Sequence, residues 1–362
     1  MKPTRLHEFD MMKGVAIFMV VMGHVIAFCV REIDRATIFK FIGEIHMPLF
    51  FFISGWFTMK VREGSVQMPN LLARFKQLIS PMVAVSTLWI FYFPHSGLTS
   101  PLNSTFEGLW TDNMKNGYWF TLALFELMVL YAASAPVLTR LKKASAGITY
   151  VVVVWVILFY LNKILLTNFP VLADSISFPQ VSTYWPAFMI GALASRHREG
   201  FAKITASSNW VTAAFIVGAL CLYYICWYWE FERFEWLSML INGPAAVRPI
   251  LHICLAIIAM AIFGPWARQA FDRPTPGRLA SMWSYLGTKS LGIYLLHYFF
   301  LFPLGHCRES LLAMNLGWVP LFAFTFIASA LIIAMVLGFM AIIAPSRPLN
   351  YLLTGTITRS KK

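Results

Sequence analysis

Residues 10–24 read DMMKGVAIFMVVMGH and hold the first pair of groups capable of chemistry, Lys13 and His24. At about 100° per residue, the eleven steps between them make three turns plus about 20°. Both side chains therefore share one helix face, about 16 Å apart along the axis. In an apolar helix this puts a cation near one membrane surface and an imidazole about half a bilayer deeper. A lysine there is ordinarily a snorkelling anchor. An imidazole at that depth is costly, and ionisable groups inside a span mark a pathway or a site. With an ordinary pKa of about 6.5, such a ring can take a proton from an attacking hydroxyl or carry a group itself.

Other polar residues stand in similar surroundings. Asp10 precedes Lys13 by three residues, so the two can pair on one turn. Residues 44–56, EIHMPLFFFISGW, set Glu44 and His46 near the end of a second apolar run, with Ser54 and Gly55 deeper. The plain reading of His46 is an interfacial ring bonded to Glu44 or backbone. Two histidines in neighbouring hairpin helices instead favour one shared polar site. Arg74 and Lys76 lie just ahead of Pro81 in KVREGSVQMPNLLARFKQLISP, residues 60–81. They are either surface anchors or a clamp for the phosphates of an anionic donor. Glu126 lies two turns into YWFTLALFEL, residues 118–127, where a carboxylate is expensive unless paired. In LGTKSLGIYLLHYFF, residues 286–300, Lys289, Ser290, Tyr294 and His297 recur at three- and four-residue steps. They share roughly one face, which a bundle can turn toward His24.

The elements that must position these groups are membrane helices. Of the 362 residues, 59% are hydrophobic and 12% charged, against about 25% charged in a soluble domain. The spacing predicts an all-α polytopic protein with ten spans: 12–30, 42–59, 78–94, 118–137, 147–166, 181–195, 209–229, 246–264, 283–303 and 318–344. The sixth is short and is expected to be tilted or broken. Outer-membrane barrel alternation is absent. Placing the N-terminus inside assigns roughly 21 of the 29 lysines and arginines to the cytoplasmic side, so both termini are expected there. The net charge of +13 falls in short clusters between apolar runs, which argues against nucleic acid as a partner. The five cysteines have no CxxC spacing and read as small buried hydrophobes, and no metal site is expected. The first apolar run lacks a small-residue cleavage site and is expected to stay as a span. The chain reads as one transmembrane domain, 1–362, embedded in membrane lipid. Two loops assigned to the outer side, 104–118 and 227–236 (WYWEFERFEW), are rich in aromatics and acids. They fit an interfacial belt or a sugar-binding surface.

At these residues the chain resembles the membrane-bound acyltransferase 3 family, integral-membrane acetyltransferases of cell-surface carbohydrates. The blocks that carry the likeness are Asp10, Lys13 and Gly14 leading to Gly23 and His24; His46 to Gly55; Arg74, Lys76 and Pro81; and Ser290 to His297. Tyr118, Trp119 and Phe120 add a weaker match. The HMP form of the second block is similar to the fucose 4-O-acetylase branch. Lysine stands at 13 where the family commonly has arginine. No hydrolase-like extracytoplasmic domain is appended, which suggests that the membrane part completes the transfer.

The resemblance implies transfer of an acetyl group from cytoplasmic acetyl-CoA to a hydroxyl of a glycan or glycolipid, at the inner membrane of the cell. It implies Lys13, Arg74 and Lys76, with Asp10 and Ser54, on the donor. It implies His24 as base or transient acyl carrier, with His46 nearby. From the residues themselves, Glu44 or Glu126 is the expected orienter of His24, and Ser54 or Tyr294 the expected donor to the oxyanion. From the residues alone, a proton-coupled transporter is an equal rival, because intramembrane histidines and carboxylates also build proton pathways. The paired broken helices of many transporters are missing. A catalytically dead assembly subunit is a third reading, disfavoured because Lys13, His24 and His46 are all in place.

Overall fold

In the computed structural model of the chain, residues 6–29, 32–95, 105–205, 209–228, 244–271, 276–301 and 318–356 are described, with Leu304 and Ser310. Apolar runs become helices because a backbone that leaves water must satisfy its N–H and C=O groups within the segment. In chain order the first are α1 (His7–Cys29), α2 (Glu32–Thr58) and α3 (Leu71–His95). A two-residue antiparallel ribbon, β1 (Val61–Arg62) with β2 (Ser65–Val66), interrupts the loop before α3. Its turn uses positive φ at Glu63 and Gly64, as a tight hairpin requires. Next come α4 (Phe106–Thr111), α5 (Trp119–Arg140), α6 (Ala144–Asn168), α7 (Pro170–Ser175), α8 (Phe178–Arg196), α9 (Arg198–Thr205) and α10 (Asn209–Tyr228). The chain closes with α11 (Pro244–Phe271), α12 (Arg278–Thr288), α13 (Ser290–Leu301), α14 (Trp318–Ile343) and α15 (Arg347–Thr354).

Among the described residues, six helices are long and apolar enough to cross a membrane: 7–28, 40–58, 119–140, 144–168, 247–271 and 319–343. The other four segments expected as spans fall on α3, α8, α10 and the pair α12–α13. The ninth is not one helix: the chain breaks at Lys289 between α12 and α13. The break leaves Lys289 and His297 on separate ends of one apolar run. The aromatic stretch 229–236, read as an interfacial belt or a sugar-binding surface, lies outside the described residues.

α1 is the hub. It packs against α2, α11, α12, α13 and α14, and its buried face (Phe9, Met12, Ala16, Ile17, Val20, Val21, Val25) forms part of the main hydrophobic core. Two helix pairs come into backbone contact through glycine. A Cβ on Gly14 of α1 would run into the Trp283 carbonyl of α12, and one on Gly287 into the Asp10 carbonyl. Likewise Gly55 of α2 faces the Phe188 carbonyl of α8, and Gly191 faces the Phe52 carbonyl. Small residues permit this approach, where dispersion replaces the hydrophobic drive that lipid removes. Gly191→Ala is therefore expected to destabilise the fold by about 1–3 kcal/mol through overpacking. It should lower the thermal midpoint in detergent. Gly200→Ala, which meets no atom within 4 Å, should not.

Candidate active site

α1 and α13 bring two imidazoles together. His24 Nδ1 lies 2.9 Å from His297 Nε2, and the hydroxyl of buried Tyr298 lies 3.1 Å from His24 Nε2. The protons can be assigned from the partners. His297 Nδ1 faces the carbonyls of Tyr294 at 2.7 Å and Ile293 at 3.1 Å, which only accept. With both rings neutral, His297 carries its hydrogen on Nδ1 and accepts at Nε2. His24 must then donate from Nδ1, which leaves its Nε2 lone pair as the basic position, accepting from Tyr298. A backbone-anchored histidine thus does for His24 what a carboxylate does in many triads.

A strained loop covers this pair. Lys115, Asn116 and Gly117 have φ of 50°, 53° and 91° in succession. Non-glycine residues in the left-handed region persist only where their surroundings hold them. Here the Lys115 ammonium donates to the carbonyls of Trp110 (2.8 Å), Asp112 (2.9 Å) and Asp174 (2.5 Å), which ties the loop to α7. Burial pushes the Lys115 ammonium down from its ordinary value, opposed by Asp174, Asp112 and Glu126. Gly117 abuts the Tyr298 ring so closely that a Cβ would overlap it.

Three cavities adjoin one another through shared wall residues, and α1 lines two of them. The chamber at His24 has a volume of about 370 Å³, and Gly23, Glu44, His46, Gly117, Trp119 and Tyr294 also line it. It shares Val20, Met47 and Tyr294 with a narrow cavity of about 120 Å³ that holds Lys13, Ser54 and Ser290. That one shares Leu291 with a mouth of about 720 Å³ lined by Lys60, Arg74, Gln77 and Lys289. Lys13, Ile17, Val20, Gly23 and His24 follow this route along a single stripe of α1.

The remaining candidates are placed as follows. Asp10 pairs with Lys13 at 2.9 Å, and the Lys13 ammonium also sits over the Phe57 ring at 5.6 Å. Lys13 thus lies within the route and not at its mouth. Arg74 lines the mouth and donates to Gln77 at 2.8 Å. Burial pushes its guanidinium down from its ordinary value, yet arginine remains a cation in proteins. Lys76 is exposed and is not part of the mouth wall; Lys60 and Lys289 stand there instead. The alternation along α3 puts residues 74 and 76 about 200° apart, which separates them. His46 Nδ1 donates to the Ile42 carbonyl at 2.5 Å.

Neither carboxylate expected to orient His24 contacts it. Glu44 is held between Arg248 at 3.1 Å and His252 at 2.6 Å, and all three line the chamber. Glu126 lines none of the three cavities, and its Oε2 is buried without a partner among the described residues. Tyr294 donates its hydroxyl proton to the Gly117 carbonyl at 2.9 Å, so that hydrogen is committed to the loop and not directed at an oxyanion. Among the described residues, no group of three or more histidine, cysteine or acidic side chains is arranged to hold a metal.

The Acyltransferase domain of the acyltransferase 3 family matches residues 6–336. The chain belongs to that family. Two curated relatives are named nodulation protein NolL. The one from Mesorhizobium japonicum is 30% identical over 152 residues, 39% of this chain and 38% of that protein. The one from Sinorhizobium fredii is 32% identical over 141 residues, 34% of this chain and 36% of that protein. The chain therefore matches well under half the length of either relative. No solved structure matches it.

In this acyltransferase-family chain the separate sequence blocks converge on one route: the first supplies Lys13 and His24, the second His46 and Ser54, the third Arg74, the fourth Ser290 and Tyr294. His297, of that same fourth block, meets His24 directly. Sequence reasoning placed His297 on the right face but gave it no role, and it passed over Tyr298, Arg248 and His252. The periodicity of α13 was the available signal for the first two. Arg248 and His252, four residues apart on α11, had only the cost of charge in an apolar helix to mark them.

Proposed function

We propose that the protein is an integral-membrane O-acyltransferase that moves an acetyl group from acetyl-CoA to a hydroxyl of an exported or surface glycan or glycolipid, in the cytoplasmic membrane. The observation that carries the reading is a series of three cavities, adjoining through shared wall residues, from a mouth holding Lys60, Arg74 and Lys289 to a chamber lined by His24. The donor is a polyanion joined by a thin arm to a thioester. The mouth suits its phosphates, the narrow middle its arm, and the chamber its acyl end. Bound there, the donor supplies an acyl group already activated as a thioester.

The protein supplies position and proton movement. His24 Nε2 accepts the proton of the attacking hydroxyl as its oxygen bonds the acyl carbon. The Nδ1–H bond to His297 fixes the ring and spreads the charge that forms on it. The same proton then passes to the sulfur as its bond to carbon breaks, so ester and free thiol form together with no net proton change. Tyr298, already directed at Nε2, is placed to hold the ring while the chamber is empty.

Purified full-length protein with radiolabelled acetyl-CoA tests the reading through thiol release and label transfer to glycan. Protein that neither binds acetyl-CoA nor releases thiol overturns it, and proton-coupled solute uptake by that same protein would replace it with transport. Arg74→Ala is expected to raise the KM for acetyl-CoA about tenfold, the size of one charge-assisted hydrogen bond. Its effect should shrink with added salt. Lys76→Ala is expected to change that KM by less than about twofold, as an exposed cation outside the mouth.

A further inference from the structure

The chamber that holds His24 also holds a second polar group, built like a binding site of its own. Glu44 is buried, forms an ion pair with Arg248 and accepts a hydrogen bond from the Nε2 of His252. Nε2 is committed to that carboxylate, so the neutral His252 ring has its lone pair on Nδ1. That Nδ1 is buried and has no partner among the described residues, although His252 lines the chamber. Gln180, also in the chamber wall, repeats the pattern. Its amide nitrogen donates to the Asn113 carbonyl at 3.3 Å and contacts the Asn113 side-chain oxygen, which fixes the amide orientation. Its Oε1 is left buried and without a partner among the described residues.

Two acceptors unmet among the described residues, both on side chains that line one chamber, call for a ligand that brings donors. An unpaired buried polar atom costs free energy that such a ligand recovers. Phosphates and carboxylates bring acceptors only; hydroxyls bring donors. Beside these atoms Trp119, Tyr184 and His252 lie nearly parallel: Trp119 and Tyr184 at 17° with centroids 5.8 Å apart, and Tyr184 and His252 at 11° and 5.5 Å. Phe51 stacks on Tyr184 as well, at 20° and 4.6 Å, so the rings hold one another in place. The half-buried sides of Trp119 and Tyr184 that line the chamber are apolar surface against which the C–H face of a pyranose can lie.

We propose that Glu44, His252 and Gln180 form an acceptor-registering subsite that sets which hydroxyl reaches His24. It takes a neutral pyranose whose non-reacting hydroxyls donate to His252 Nδ1 and Gln180 Oε1 while its ring lies against Trp119 and Tyr184. The inference rests on the acyl-transfer reading above. Arg248 and Glu44 act here by holding His252, with no contact to the reacting atoms.

The test uses the full-length protein in nanodiscs, radiolabelled acetyl-CoA, and a panel of methyl pyranosides (gluco, galacto and fuco), with the acetylated position read by NMR. His252→Gln keeps a donor to Glu44 but removes the Nδ1 acceptor. It is expected to raise the sugar KM at least tenfold and to spread acetylation over several positions, with the KM for acetyl-CoA held within twofold. His252→Asn, which restores a polar atom near Nδ1, should recover part of the positional preference. Gln180→Met should act in the same direction as His252→Gln, and the held donor KM reports that each variant is folded. Unchanged sugar KM and unchanged position in both His252→Gln and Gln180→Met would overturn the subsite. So would a wild-type protein that cleaves acetyl-CoA yet acetylates none of the sugars. Failure to bind or cleave acetyl-CoA at all would instead strike the acyl-transfer reading on which the subsite depends.

Discussion

His24→Ala is expected to lower acetyl transfer by about 10³-fold, within the 10²–10⁴ range that a positioned general base contributes. The effect should appear in kcat, because His24 lies at the far end of the route from the mouth that grips the donor. Binding of acetyl-CoA, measured by isothermal calorimetry, should persist. His24→Asn sharpens the test. Asparagine keeps a polar atom near the Nδ1 position, and so a partner for His297, but has nothing at Nε2. It should be as inactive as alanine while disturbing the packing less. Wild-type turnover in His24→Asn would show that the basic nitrogen is elsewhere. Rapid quenching of wild-type protein with labelled acetyl-CoA and no sugar separates the two roles open to the ring. Label on the protein, lost in His24→Asn, marks an acyl carrier; its absence with transfer intact marks a base.

His297→Phe is expected to lower kcat by about 10²-fold with little change in either KM. Phenylalanine preserves the ring volume in a fully buried place. It removes the acceptor that fixes His24 Nδ1–H and leaves that donor unpaired. Leaving a buried donor unpaired costs about 1–3 kcal/mol, or roughly 5- to 150-fold. The His24 ring also becomes free to place its proton on Nε2, where it cannot act as base. His297→Gln should recover most of the loss, because its side-chain oxygen can accept from His24 near the position of Nε2. A purely structural role for His297 predicts the reverse order, with phenylalanine the milder change. The split between kcat and KM, together with the rescue by glutamine, decides the matter.

These effects follow from contacts between residues far apart in the chain, and that separation marks how far sequence reasoning reaches. Helix geometry is rigid, so the spacing of Lys13 and His24 already fixed them on one stripe of α1. Long apolar runs have to become helices wherever water is excluded, so the segments of the bundle were legible from hydropathy. Gly55 read as part of a small-residue patch, and it sits where α2 and α8 touch backbone to backbone. Cation spacing offered Arg74 and Lys76 together as a phosphate clamp; both lie in the first turns of α3, whose period turns them to different sides.

What only the tertiary structure decided is rotation and partnership. Glu44 or Glu126 was the expected orienter of His24. Glu44's nearest cations, Arg248 and His252, are about 200 residues away in the chain, and they claim both carboxylate oxygens. His297 stands 273 residues from His24, and nothing in either helix states the angle at which the other approaches. The helical period names the face a residue occupies. The packing of many helices at once decides what stands opposite that face, because each close contact, such as Gly14 on Trp283 or Gly191 on Phe52, sets a depth and rotation that the others must share.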